Sequence, residues 1–145
     1  MRDGFFEDLS HLADARFRAE QLRIQAILAE ETRIRASITQ LQERQRRARA
    51  AATGELQAQR SFGGDALWEG WVSRMMRDLQ TRLAQVLVRK SALMRDLAHA
   101  HGKLVAAEDL QQKVRKSRQG ARQKSRNEAL QSLFILQKGE ADKNR

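Results

Sequence analysis

The chain has 145 residues, and 28 Lys and Arg against 18 Asp and Glu give a net charge of +10. It contains no proline, cysteine or tyrosine. These absences exclude a disulfide-stapled fold, a thiolate zinc site and a cysteine nucleophile, and they argue against an all-β fold. The abundance of Ala, Leu, Gln, Arg and Glu is typical of long helices. We therefore expect one all-α domain.

The amino-terminal residues 1–8 carry acidic side chains where a signal peptide would have a basic stretch followed by an apolar one. No unbroken apolar run is longer than four residues, too short for a membrane span. We expect a cytoplasmic protein that meets a membrane only through its partners.

The first predicted helix covers residues 1–60, and residues 5–53 contain no glycine. Apolar residues recur along it at steps of three, four and seven, with Glu31 and Gln45 as interruptions and Leu22 and Leu28 beside the seam. We expect Phe5, Leu9 and Leu12 to begin this stripe. It continues through Phe17, Ile24, Ile27, Ile34, Ile38, Leu41, Ala48 and Ala52.

A hairpin turn is predicted at residues 61–66. Gly63 and Gly64 can take positive φ without steric cost, and Asp65 is a good N-cap for the next helix. One continuous helix kinked at this point is the alternative.

The second predicted helix covers residues 67–126 and has a stripe of matching length. Its steps from Met75 to Val86 form an eleven-residue unit, which would locally relax a left-handed supercoil. The stripe consists of Trp68, Val72, Met75, Leu79, Leu83, Val86, Leu93, Leu97 and Leu104. Such narrow stripes need a partner helix, so we expect a long antiparallel two-helix coiled-coil hairpin, rod-shaped and about 75 Å long. A parallel homodimer of kinked helices is the alternative.

The end of the chain is strongly basic. Residues 113–126, here called the basic segment, hold seven basic side chains and no acidic one. Four of them, Arg115, Lys116, Arg118 and Arg122, are candidates for binding an acidic partner; a solvated helix end is the alternative. Residues 127–145 are predicted to be a short apolar segment, Leu130 to Leu136, followed by a disordered tail.

Two tryptophans follow the predicted turn. Trp68 and Trp71 precede Met75 and Leu79, and Trp71 cannot share the centre of the seam with Val72. We expect Trp71 to be partly exposed, and Trp71 and Met75 to serve as partner contacts more than as core residues. The alternative is that the tryptophans close the end of the coiled coil.

No catalytic constellation is present, so we expect no enzyme, no cofactor and no metal. His99 and His101 are two residues apart and would point to different sides of a helix. Neither GxxxxGK[ST] nor HExxH occurs.

Together these features resemble the FliJ family of flagellar export stalk proteins and their counterparts in injectisomes. Residues 67–79 carry the best local match, in which Trp68 and Trp71 correspond to an aromatic pair after the turn and Met75 and Leu79 to the following stripe. Residues 129–136 depart from the acidic, amphipathic end that is frequent in that family.

The resemblance implies a non-enzymatic stalk or adaptor of a type III export apparatus at the cytoplasmic face of the inner membrane. Trp68, Trp71, Met75 and Leu79 would contact the cytoplasmic domain of the export gate. The basic segment would face the hexamer of the export ATPase. Two other functions remain open: a nucleic-acid-binding coiled coil that uses the basic segment, although it lacks a stacking aromatic, and a coiled-coil scaffold without an export role.

Overall fold

The protein is a helical hairpin. A computed structural model describes residues 2–51 and 64–144, with the side chains of residues 2 and 3 left out. Helix α1 is Arg2–Ala51 and helix α2 is Gly64–Lys143, and the described residues contain no strand. Each of the two units contains a pair between the helices: Glu30 with Arg89 in one and Glu7 with Arg115 in the other. The two helices thus pack against each other, and the predicted helical hairpin is confirmed.

Most of the predicted turn lies outside the described residues. The part that is described begins with Gly64 as the first residue of α2, without positive φ. Asp65 lies in the first turn of α2, where its charge suits the positive end of the helix dipole. Residues 52–60, predicted as helix, also lie outside the described part.

Helix α2 does not end at residue 126 but continues to Lys143, so residues 127–143 are helical where a tail was expected to be disordered. Nothing in this stretch breaks a helix strongly: proline is absent, and Gly120 and Gly139 each cost only about 1 kcal/mol relative to Ala. The many Leu, Gln, Lys, Arg and Glu residues have high helix propensity.

The unit Arg16–Ala100 has a narrow core that lies along the facing sides of the two helices. Val86 has no exposed surface, and Val72 is only 2% exposed. The α1 side chains buried with them are Ile24, Ile27 and Leu41, and Ala100 completes this group. The predicted seam residues Phe17, Ile34, Ile38 and Ala48 are half-buried.

From Val72 onward, the buried and half-buried positions of α2 alternate by four and three residues. They are Val72, Met76, Leu79, Leu83, Val86, Lys90, Leu93, Leu97, Ala100, Leu104, Ala107, Gln111, Val114 and Arg118. Met75, predicted in this seam, is 37% exposed, and Met76 takes its place. The eleven-residue unit predicted from Met75 to Val86 is therefore wrong, because these residues follow a regular heptad repeat.

The second unit comprises Met1–Ala15 and His101–Arg145. Leu104 and Ala107 are its buried apolar residues. On α1, Phe6, Leu9 and Ala13 are half-buried, whereas Phe5 and Leu12 are exposed. The stripe therefore begins at Phe6, because residues 6, 9 and 13 reach the facing helix at steps of three and four.

The seam in Arg16–Ala100 contains one buried carboxylate. Glu31 occupies the heptad position between Ile27 and Ile34 and is only 8% exposed. Lys90, at a seam position of α2, donates from Nζ to Glu31 Oε2 at 2.8 Å, and Arg35 Nε donates to Oε1 at 2.9 Å. These two hydrogen bonds, that of Lys90 first, hold the pKa of Glu31 below its ordinary value.

Val86→Ala should destabilise the hairpin by about 1–3 kcal/mol, because it removes buried methyl groups and leaves a cavity. Val88→Ala is the matched control, since Val88 lies on the same helix but is 70% exposed. We expect the control to shift the free energy of unfolding by less than about 0.5 kcal/mol. Urea titration followed by circular dichroism measures both free energies. Equal effects of the two substitutions would contradict the burial of Val86 between the helices.

Glu31→Gln should destabilise the hairpin at pH 7 but not in acid. A carboxylate with a lowered pKa in the folded state contributes stability above its unfolded pKa, and that contribution is lost as the pH falls through the folded value. The difference between the parent and Glu31→Gln should therefore begin to shrink as the pH falls below about 4.5, the ordinary value. Thermal unfolding between pH 2 and pH 8 measures it, with Glu43→Gln, at an exposed pair within α1, as control.

Candidate interaction surfaces

The first candidate surface is the tryptophan face, formed by Trp68, Trp71, Met75 and Leu79 near the start of α2. Trp68 and Leu79 are half-buried, whereas Trp71 is 43% exposed. Trp71 and Met75 are four residues apart, so their side chains are neighbours on one side of α2. The expected exposure of Trp71 is confirmed, whereas Met75, which the sequence pattern placed in the seam, is exposed beside it. Trp68 and Leu79 instead keep only a minor part of their surface exposed.

Because Val72 fills the seam, Trp71 is directed to its flank. An indole that retains almost half of its surface in water has apolar area and an N–H group to offer to a partner. Met75 adds a flexible thioether, which adapts to irregular partner surfaces. The tryptophan face thus has the composition of a protein-binding surface and no group that could perform chemistry.

The second candidate surface lies on α2 in the unit of Met1–Ala15 and His101–Arg145. Arg115, Arg118, Arg122 and Arg126 fall within about 80° of one another at 3.6 residues per turn, and we call them the arginine stripe. Sequence reasoning selected the first three but missed Arg126. Arg126 lies inside the predicted helix 67–126, and its spacing of four residues from Arg122 was the signal that could have placed it on the same face.

Two ion pairs lie near the beginning of the basic segment. Arg115 approaches Glu7 of α1 at 3.9 Å, and Lys113 pairs with Asp109 one turn earlier at 3.1 Å. Glu7 of α1 thus offsets part of the positive charge at the start of the basic segment. Both pairs are well exposed, so each contributes little to stability.

The later arginines of the basic segment follow one another along one face of α2. Arg118 is half-buried, while Lys116 and Arg122 are exposed. Arg118, Arg122 and Arg126 follow one another at steps of four, and like charges at this spacing destabilise a helix. An acidic surface laid along the arginine stripe would relieve this repulsion.

A groove not foreseen from the sequence adjoins the basic segment. Phe5 and Phe6 of α1 meet edge to face, with ring centroids 5.6 Å apart. They border an open groove together with residues of α2. The α2 residues are Leu110, Lys113, Val114, Ser117 and Arg118. The groove is apolar with basic groups at its edge, and the adjacent phenylalanines were the signal in the sequence that could have predicted it.

The part of α2 after the basic segment is apolar and exposed. Leu130, Leu133, Phe134 and Leu136, here called the apolar patch, are each more than half exposed. Ile135 is also exposed but lies on the other side of the helix, since it is two residues from Leu133. Side chains of this size are rarely grouped on the surface of a monomer without a binding role.

Within the described residues, no group of three or more His, Cys, Asp or Glu could hold a metal ion. In the same residues, no helix has an apolar stretch long enough to cross a bilayer. Protein-family models, curated proteins and solved structures were compared with this chain, and none matches it. Its function is therefore inferred from its own surfaces.

Trp71→Ala should change the free energy of unfolding by less than about 1 kcal/mol, because much of the indole is already in water. Trp68→Ala is the matched comparison: Trp68 is more buried, and we expect a loss of about 2–4 kcal/mol. Chemical denaturation of the two variants measures both values. A larger loss for Trp71→Ala than for Trp68→Ala would identify Trp71 as a core residue.

Proposed function

We propose that this protein is a non-enzymatic stalk or adaptor of a flagellar-type export apparatus, which links the export ATPase to the export gate. The observation that carries this proposal is the arginine stripe along one face of α2, which gathers positive charge in a single line. The choice of a flagellar-type export apparatus comes from the resemblance of residues 67–79 to the FliJ family.

The ATPase would be the partner of the basic segment. Arg115, Lys116, Arg118 and Arg122 would approach acidic side chains of the ATPase ring. Such contacts act mainly on the rate and the orientation of association, and salt weakens them. The hairpin would stimulate ATP hydrolysis through its position in the ring, without taking part in the chemistry.

The export gate would be the partner of the tryptophan face. Trp71 and Met75 are exposed before any partner binds, so contact would not require α1 and α2 to separate. Trp68 would stay anchored against the hairpin and hold Trp71 in orientation. A rigid aromatic group of this kind contributes strongly to affinity, because little conformational entropy is lost when it binds.

A nucleic-acid-binding coiled coil is the second candidate, and the charge of the basic segment favours it. Nucleic acid would neutralise the arginines, but the basic segment has no aromatic side chain on which bases could stack. Affinity for DNA or RNA with a log–log salt slope of several units, in the low micromolar range at physiological salt, would support this function.

Replacing Arg115, Lys116, Arg118 and Arg122 with Gln should leave helicity nearly unchanged and lower stimulation of the export ATPase by about tenfold at 0.15 M salt. The physical reason is the loss of four positive charges from one helix segment. ATP hydrolysis measured against hairpin concentration gives the effect.

The control carries the same change in charge at exposed positions elsewhere, with Gln at Arg33, Arg77, Arg95 and Lys103. It should stimulate the ATPase as the parent does. If both fourfold variants lose stimulation equally, the net charge of the protein, and not the basic segment, determines ATPase stimulation. If neither variant loses stimulation, the basic segment is only a solvated helix end.

A further inference from the structure

Helix α2 has a long uncovered portion. Every described residue from Gln119 to Asn144 is exposed, and the apolar patch lies in the middle of this stretch. Leu133 is 57% exposed and Phe134 73%. A helix with this much apolar surface gains stability when a second helix covers it.

On one face of this stretch, the spacing between residues is the same whether it is read from the amino-terminal or the carboxy-terminal end. Its positions step by four, three, four, three and four residues: Arg122, Arg126, Ala129, Leu133, Leu136 and Glu140. This set is symmetric about Gln131, which points away from the face at about 100° per residue. A second identical helix running in the opposite direction therefore meets this face with the same spacing.

The residues that would meet are complementary. Arg122 would lie opposite Glu140 of the second copy, and Ala129 opposite its Leu133, a small side chain against a large one. Arg126 would lay its methylene stem on Leu136 and carry its guanidinium toward Glu140, one turn further along. At one flank of the face, Leu130 would lie close to the two-fold axis beside its own counterpart.

Charge selects the antiparallel direction. The face is basic at Arg122 and Arg126 and acidic at Glu140. A parallel pair would place Arg122 against Arg122, whereas the antiparallel pair forms the Arg122–Glu140 contact twice. An isologous two-fold interface doubles the effect of every residue in it.

We propose that a second copy of this chain docks antiparallel on residues 119–143 of α2 and forms a two-fold dimer through this face. The inference goes beyond the proposed export function. The second copy covers Arg122, so an acidic partner and the second copy compete for this part of α2. The dimer is the form that the protein takes without its partner.

Sedimentation equilibrium of the full chain, at increasing concentration, tests the apolar part of the interface. The parent should dimerise, and Leu133→Glu should raise the dissociation constant at least about tenfold by burying a carboxylate. Ile135→Glu is the matched control, exposed on the other side of the same turn, and should change the constant less than about twofold. Circular dichroism checks that both variants keep the hairpin.

Charge reversal tests the direction. Glu140→Arg and Arg122→Glu should each weaken the dimer by about fivefold or more, because each places like charges together twice. The double variant restores both pairs and should return the constant to within about twofold of the parent.

A parent that stays monomeric at about 1 mM overturns the proposal. So does a dimer that tolerates Leu133→Glu, or a double charge reversal that fails to restore dimerisation. If the parent is monomeric but binds vesicles containing phosphatidylserine, and Leu133→Glu abolishes this, the patch is a lipid-binding surface and the dimer is again refuted. None of these measurements involves the ATPase, so the proposed export function stands or falls separately.

Discussion

The pairing of Glu31 with Lys90 across the seam is the constraint on which the alignment of the hairpin depends. Two helices with regular heptad repeats can slide by seven residues and still bury apolar side chains. A shift by seven residues would separate Glu31 from Lys90, and a buried carboxylate without a partner is strongly destabilising. Lys90 meets Glu31 in one register only, and Arg89 supports that register through Glu30 at 2.9 Å.

The same constraint explains why apolar burial alone is not a sufficient account of the fold. Only eight hydrophobic residues are buried in the described parts of the chain, and three of them, Ala100, Leu104 and Ala107, are on the last third of the α2 seam. Alanine lets the two helix axes come close together but contributes little buried apolar area. Specificity must therefore come from polar positions such as Glu31 and Gln45, which the sequence presents as interruptions of the apolar stripe.

The helices and their antiparallel pairing were predictable because hydrophobic periodicity and the absence of proline both depend on local sequence. The exact phase of the α2 seam was not. Met75 and Met76 are equally apolar and both lie within reach of Val72 and Leu79, and only the seven-residue repeat, which relates Met76 to Leu83, favours Met76. That repeat is hard to recognise in the sequence because Lys90, a residue type usually assigned to the surface, occupies one of its positions. The end of α2 was misjudged for a related reason: a run of like charges weakens a helix, but the local propensity of residues 127–143 is sufficient to continue it.

The candidate surfaces differ in how much of each could be predicted from the sequence. Exposure of Trp71 follows from its place beside Val72 and needs only helical geometry. The arginine stripe lies within the predicted helix, but its alignment with the apolar patch depends on how far α2 continues, since residues 122, 126, 129, 133, 136 and 140 share a face only if one unbroken helix contains them all. In such a helix, the arginines that repel one another and the exposed leucines lie on one surface, and both make this surface unfavourable when it is uncovered. Any partner that covers this face must offer acid near Arg122 and apolar groups near Leu133, and this chemical requirement narrows the choice of partner more than the net charge of +10 does.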